Sequence, residues 1–314
     1  MEDYIKIGEK VIELIEKKYS YLAFKSEEYE IIKKGINNEM PNAKNDSQAL
    51  EVLVKYLGLF EDGHINILNS ENRQYHTLLT LKKNFENSVA DSYLNNIIKI
   101  KPGKPGYSPI VLGELGDKLY IRISSFSNDF KDCFNELYSL EKLKELSNKE
   151  KFIIDLRSNC GGNSELGENL VSFLLGNSEP KTAFYLQERK NESDPKELSD
   201  LKEVQIKSNY SHNHKNLTVL IGPTTYSSAE LTAMKLLAVP EAKSIGDVSG
   251  GGSGCPIEYE LNNKFKIRIP SWICRKSNKE LLQNKGIIPN ILVPFNETIK
   301  EGKDLALEAA INLL

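Results

Sequence analysis

Apolar positions in the amino-terminal third of the chain recur at helical spacing. Ile5, Val11, Ile12, Leu14 and Ile15 fall on one face, Tyr29, Ile31 and Ile32 mark a second segment, and Ala49, Val52, Leu53, Tyr56 and Leu57 a third. Asp46 or Ser47 stands where a cap for the third helix is expected. Glu61-Asp62-Gly63-His64 follows, then the alternating run Ile65-Asn66-Ile67-Leu68, which predicts a strand and puts His64 at a helix-to-strand junction. Past Pro102, Gly103, Pro105, Gly106 and Pro109 the style changes. Leu119–Ile123 reads as a strand, a helix runs through Phe134, Leu137, Leu140 and Leu143, and Phe152–Leu156 is a short buried-type strand. Gly161-Gly162 then turns into a helix bearing Leu166, Leu170, Val171, Phe173 and Leu174. Leu217–Ile221 is another buried strand, with a helix from about Ser228 to Leu237. Short strand-turn-helix connections of this kind predict parallel strands. The expected organisation is therefore a mainly helical domain over 1–105, carrying the Gly63-His64 element, and an α/β core over 106–314.

Two stretches depart from that rhythm. Residues from about Gln187 to Lys215 are dense in charge, Asn and Ser, and read as an exposed excursion. Gly250, Gly251, Gly252 and Gly254 predict a flexible loop ahead of a hairpin, with Ile257–Leu261 and Phe265–Ile269 flanking Asn262-Asn263.

Composition narrows the function classes. With 39% hydrophobic and 27% charged residues in 314, the chain is an ordinary globular one. Lys+Arg 41 against Asp+Glu 44 leaves a net charge of -3, so no overall basic field exists to hold nucleic acid. No apolar run approaches the roughly 18 residues of a membrane span, and Met1-Glu2-Asp3 lacks the basic start of a signal peptide. The chain as it stands is expected to be cytoplasmic, and extracytoplasmic if a leader has been trimmed. Cys133, Cys160, Cys255 and Cys274 form no C-x-x-C pair and read as free packing thiols. His212-Asn213-His214 lies in a polar stretch without acidic ligands at a recognised spacing, so it reads as solvated loop and not as a metal site.

Candidate chemistry gathers at strand ends. Gly222-Pro223-Thr224-Thr225-Tyr226-Ser227-Ser228-Ala229-Glu230 joins a buried strand to a helix and puts hydroxyls at the helix start, where unpaired N–H groups favour a developing oxyanion. Ser227-x-x-Glu230 is equally a capping box, which needs no catalytic role. Gly161-Gly162 allows backbone amides to approach a bound carbonyl, or simply makes a turn. Among the histidines His64 is the better general-base candidate, the alternative being a helix C-cap.

In combination these signals resemble the C-terminal processing (tail-specific) serine peptidases and the tricorn protease core. A D-L-R-x-N-x-G-G pattern runs from Asp155 to Gly162, a strand-turn-Ser-x-x-Glu element from Leu217 to Glu230, and a closing G-I-x-P element occupies Gly286–Pro289. The resemblance implies a crotonase-like (ClpP/crotonase) α/β fold with a β-β-α core. It makes Ser227 the nucleophile and assigns the oxyanion donors to the N–H of Ser228 and of Gly161 or Gly162. The processing branch uses a lysine where this chain has Gly252. Tricorn-like and retinoid-binding-protein-like branches instead carry a Gly-His element, matched by Gly63-His64, which implies that His64 activates Ser227. Their glutamate ahead of G-I-x-P corresponds to Gln283, with Glu280 three residues earlier, so these two stand as the orienting candidates. Too little chain separates His64 from the strand at Leu119 for a PDZ module. The implied activity is hydrolysis of peptides or proteins without a cofactor, in a chain free to be a homo-oligomer. A catalytically weak or inactive binding or scaffold protein of the same fold is the rival, and a crotonase-type acyl-CoA enzyme a third reading.

Overall fold

The amino-terminal stripes fold as helices α1 (Tyr4–Lys18), α2 (Ser26–Glu39) and α3 (Asp46–Leu57). The structure, a computed structural model, describes residues 4–70, 74–76, 86–101, 108–140, 151–175, 181–206, 216–239, 241–294, 299–300 and 302–313. Val11, Leu14 and Ile15 of α1 are buried, whereas Ile5, at the rim of the stripe in the first turn, is exposed. The cap of α3 is Asn45 and not Asp46 or Ser47. Its extended backbone lets Oδ1 accept the Gln48 N–H at 3.0 Å, one residue before either expected cap.

Proximity divides the chain into two units, one formed by Met1–Thr80, Tyr185–Lys202 and Gly252–Arg275, the other by Leu81–Phe184, Glu203–Gly251 and Lys276–Leu314. Strands β7 (Thr182–Gln187), β8 (Lys202–Gln205) and β13 (Ile273–Lys276) carry the chain from one to the other. In the first unit, β1 (Asn66–Asn69) lies between β2 (Gln74–His76) and β12 (Phe265–Pro270), and β11 (Pro256–Glu260) completes a four-stranded antiparallel sheet. The expected β11-β12 hairpin is present, closed by the Leu261 N–H donating to the Phe265 carbonyl at 2.9 Å. Opposite Ile67 of β1 sits Ile267, so two apolar alternations share one buried face. The charged excursion begins as expected, with residues 190–195 almost all exposed, but it also contains β8. His212 and His214 lie outside the described residues.

The second unit is built on a seven-stranded sheet ordered β14-β10-β9-β6-β5-β4-β3. Its strands β5 (Lys118–Ile123), β6 (Lys151–Asp155), β9 (Asn216–Ile221), β10 (Lys243–Gly246) and β14 (Ile291–Leu292) run parallel, as the strand-turn-helix rhythm predicts. Two strands not anticipated, β3 (Asn95–Ile100) and β4 (Ile110–Leu115), extend it antiparallel. Among the described residues, helices α4 (Asn87–Ser92), α5 (Lys131–Ser139), α6 (Ser164–Leu175), α7 (Ser228–Leu237) and α8 (Leu305–Leu313) belong to the same unit. Tyr120, Ile153, Leu220 and Ile245, one from each of four parallel strands, pack with Ala306, Leu307 and Ala310 of α8. Each fully buried aliphatic side chain there contributes about 1.5–3 kcal/mol. All six residues of β5 are buried, Lys118 and Arg122 included, the latter paired with Asp91 at 2.9 Å. No helix among the described residues is long and apolar enough to cross a membrane.

Candidate active site

Strand β9 feeds a turn that presents Ser227 at the start of α7. Ser227 has φ 56° and ψ -128°, backbone that a residue with a Cβ adopts only under strain. A serine held this way at a strand-to-helix turn has the geometry of a nucleophile elbow. Neighbouring contacts over-determine the turn. The Thr225 hydroxyl donates to the Leu156 carbonyl at 2.9 Å and accepts the Gly222 N–H at 3.0 Å, and the Tyr226 N–H donates to the Asn159 carbonyl at 3.1 Å.

Those bonds stitch the serine turn to the loop leaving β6, which brings Gly161 and Gly162 beside Ser227 and Ser228. Both glycines have positive φ, 97° and 134°. A Cβ on Gly161 would fall 2.8 Å from the Ser227 Cβ, and one on Gly162 2.3 Å from the Phe126 carbonyl oxygen, so only glycine fits at either place. The Ser228 hydroxyl donates to the Gly162 carbonyl at 2.9 Å. The two candidate amides differ in what they already do: the Gly161 N–H donates to Asn159 Oδ1 at 2.9 Å. No described group accepts the Gly162 or Ser228 N–H.

Glu230 is fully buried and reaches back along α7. Oε2 accepts the Ser227 N–H at 3.3 Å, while Oε1 accepts the Gly251 N–H at 2.9 Å and the Ser249 hydroxyl. Ser249 Oγ in turn accepts the Ile287 N–H at 2.7 Å, and the Asn284 N–H donates to the Gly251 carbonyl at 2.7 Å. The glycine loop expected to be flexible is therefore pinned over Ser249–Gly251, between the serine turn and the Gly286–Pro289 element. Composition signals conformational freedom, which Gly251 spends on a φ of 69°.

Behind the Gly161-Gly162 loop, Arg157 is fully buried between Asp155 and Asp304. It donates to Asp155 at 2.6–3.2 Å and to both Asp304 oxygens at 2.8 Å, and the Tyr120 hydroxyl adds 2.7 Å to Asp155. Burial pushes the Asp155 carboxyl up, but the Arg157 guanidinium overrides it and holds the group below the usual carboxylate range. The same loop places Cys160 at the surface, a free thiol like Cys133, Cys255 and Cys274.

Gln283 and Glu280 belong to this unit as well. Gln283 is buried and donates to Asn284 Oδ1 at 3.0 Å. Glu280 is largely exposed and pairs with Lys276 at 3.0 Å. His64 belongs to the other unit, in the turn that enters β1, and is 8% exposed. Its N–H donates to Asp62 Oδ1 at 2.9 Å, and Nδ1 stands 3.8 Å from the same oxygen. Burial, and after it the Arg268 guanidinium, pushes the imidazole down to about 4, so His64 is neutral at neutral pH. Among the described residues no three His, Cys, Asp or Glu side chains are grouped to hold a metal.

The profile described as Peptidase family S41 matches residues 117–293, which include Ser227, both glycines and the Gly286–Pro289 element. The chain belongs to peptidase family S41. The nisin-resistance protein of Lactococcus lactis subsp. lactis is 26% identical over 185 residues, 56% of this chain and 56% of that protein, so the chain spans little more than half the length of that curated relative. A peptidase structure from Parabacteroides merdae superposes with a TM-score of 0.80 at 22% identity, covering 100% of this chain and 97% of the other. The photosystem II D1 C-terminal processing protease superposes at 0.54 and 11% identity, over 100% of this chain and 98% of its own. At such identities the two structures establish a shared fold, and the family is one of serine peptidases that includes the tail-specific and tricorn-like branches.

Three side chains that fasten these turns were given no role by the sequence. Asp62 was signalled by standing two residues before His64; Asn159 and Ser249 had no signal, since short polar residues in loops are common and only contact reveals their use.

Proposed function

We propose that this S41 protein hydrolyses peptide bonds in peptide or protein substrates, with Ser227 as nucleophile and His64 as its general base, on a crotonase-like core. The observation that carries the reading is the Ser227 backbone, held at φ 56° against Gly161, where a Cβ would fall 2.8 Å from that of Ser227. Strain of about 1–3 kcal/mol is retained only where surrounding structure enforces it, and it clusters at sites of chemistry.

In this mechanism Oγ forms a bond to the substrate carbonyl carbon as its proton passes to His64 Nε2. The carbonyl π pair moves onto oxygen, where the Ser228 and Gly162 N–H groups receive it. Gly162 is preferred to Gly161 because the Gly161 donor already serves Asn159. Collapse transfers the proton from Nε2 to the leaving amine, and water then hydrolyses the acyl-enzyme. A general base of this kind contributes about 10²–10⁴ in rate, and each oxyanion donor on the order of 10²–10³. The division of the sequence near residue 105 is retained as a proposal about folding modules, distinct from the proximity-based units.

A fluorophosphonate probe tests the assignment. Labelling at Ser227 is expected, lost in Ser227→Ala and strongly slowed in His64→Ala, with circular dichroism unchanged. Absence of labelling across pH 5–8 overturns it. The rival, an inactive binding protein, draws support from Gln283, which has no charge at the position where related branches carry a glutamate. It predicts intact ligand binding by Ser227→Ala and no labelling of the wild type.

A further inference from the structure

A serine-histidine pair needs something to hold the imidazole in one tautomer and to face the positive charge it acquires. Gln283 is uncharged, and Glu280 is largely exposed and committed to Lys276. The turn that carries His64 contains a carboxylate of its own. We infer that Asp62 is the positioning acid of this site, orienting His64 through Nδ1, with Tyr19 holding the carboxylate in turn.

The geometry is local and closed. Asp62 is fully buried, in the turn that follows Glu61, itself at φ 51°. Oδ2 accepts the Tyr19 hydroxyl at 3.0 Å, and Tyr19 is also fully buried, its ring 4.8 Å from that of Phe60. Oδ1 accepts the His64 N–H at 2.9 Å, so the carboxylate is fixed at both oxygens. The turn is fastened twice more, by the Ile65 N–H on the Asp62 carbonyl at 3.1 Å and by Asn66 Nδ2 on the Gly63 carbonyl at 2.9 Å. With backbone and carboxylate both held, His64 Nδ1 stands 3.8 Å from Oδ1. That separation exceeds a hydrogen bond in the unliganded chain, and bonds of this type tighten when substrate is bound.

Charge gives the arrangement its purpose. Arg268 on β12 acts on His64 from across the sheet and disfavours imidazolium, as does burial. Glu258 on β11 stands 3.9 Å from Arg268 and offsets part of its field. A buried carboxylate facing Nδ1 supplies what the protonated intermediate lacks, and by accepting from Nδ1–H it leaves the Nε2 lone pair for the serine proton. The catalytic consequence rests on the Ser227-His64 reading above; the tautomer does not.

The experiment therefore has two readouts on the full chain. Long-range ¹H–¹⁵N spectra of ¹⁵N-histidine-labelled protein at pH 7, with His64 assigned by its absence in His64→Gln, should show the Nδ1–H tautomer. In Asp62→Asn, which keeps an oxygen for the His64 N–H, the signal should move toward Nε2–H or a mixture. In steady-state peptide hydrolysis the same variant should lose about 10⁴-fold in kcat with KM nearly unchanged. Asp62→Glu should recover part of that loss, and Tyr19→Phe should cost about 3–10-fold, the share of one hydrogen bond. An Nε2–H tautomer in the wild type, or an Asp62→Asn protein with unaltered tautomer and kcat, overturns the inference. Ser227→Ala separates the two ideas: if it leaves turnover intact, the peptidase mechanism fails, while the tautomer result still decides the role of Asp62.

Discussion

Ser227 carries its side chain in backbone that glycine adopts freely, and that conflict can be measured. Ser227→Ala removes the hydroxyl but keeps the Cβ, and with it the strain at φ 56°. Ser227→Gly removes both. Glycine costs about 0.4–1 kcal/mol through greater freedom of the unfolded chain, while relief of a positive φ returns about 1–3 kcal/mol. The glycine variant should therefore be more stable than the alanine variant by on the order of 1 kcal/mol in urea unfolding, with both inactive. Equal midpoints would mean that the turn stores no strain. Gly162→Ala tests the neighbouring glycine, which packs against Phe126. A Cβ 2.3 Å from the Phe126 carbonyl must displace the loop, so turnover should fall by at least about 10²-fold from loss of one oxyanion donor. Mutual dependence of this kind was only half legible beforehand. The motif placed a serine and two glycines at strand ends, but which amide stays open depends on Asn159 folding back onto Gly161, and a side chain that bonds two residues along leaves no periodic trace.

At the level of elements, the loop carrying Gly161 and Gly162 is held from behind by α8. Asp304 accepts two bonds from Arg157, and its Oδ1 also accepts the Leu307 N–H at 3.0 Å in the first turn of that helix. Asp304→Ala leaves a fully buried guanidinium with one carboxylate in place of two and removes a helix cap. A loss of about 3 kcal/mol is expected, read as a lower urea midpoint with unchanged slope. Activity of the folded fraction should fall as well, because Arg157 lies in the loop that positions Gly161 and Gly162. The strands and helices of this region were readable because β6 and β9 are short continuous apolar runs and α7 starts at a serine-rich turn. Others, β3 and β4 among them, were not. In β3 the first three residues are all exposed, which erases the alternation a strand normally shows, and β4 contains Gly113, where a Cβ would come within 2.9 Å of Leu94. The choice of Asn45 over its neighbours was equally hidden, since Asn, Asp and Ser cap almost equally well and the backbone decides.

At the largest scale, the assembly of the first unit from segments far apart in the chain had no signature in the sequence. The pairing of Ile67 with Ile267 joins positions two hundred residues apart, and local alternation predicts a strand without naming its partner. The same pairing brings Arg268 on β12 opposite Asn66, and its charge, together with burial, sets how His64 responds to acid. An unfolded histidine protonates near its ordinary value of 6.5, whereas His64 in the folded chain, beside buried Asp62 and Tyr19 and facing Arg268, protonates only near about 4. Between those values the unfolded chain binds the extra proton, so stability is complete above pH 6.5 and is lost as pH falls toward 4, by on the order of 3 kcal/mol. Asp155 acts in the same direction at lower pH. Its carboxyl is held below the usual range, so its stabilisation is present above about pH 4 and disappears as the folded group protonates. Urea midpoints at pH 7, 5.5 and 4 should therefore decline steadily in the wild type, and His64→Gln should flatten the part of the decline above pH 4. Turnover should show the matching limb: kcat/KM is expected to persist well below pH 6.5 and to fall only as His64 itself takes up a proton. A limb at the ordinary histidine value, together with a midpoint that does not move between pH 7 and 5, would mean that the imidazole is solvated in the folded protein.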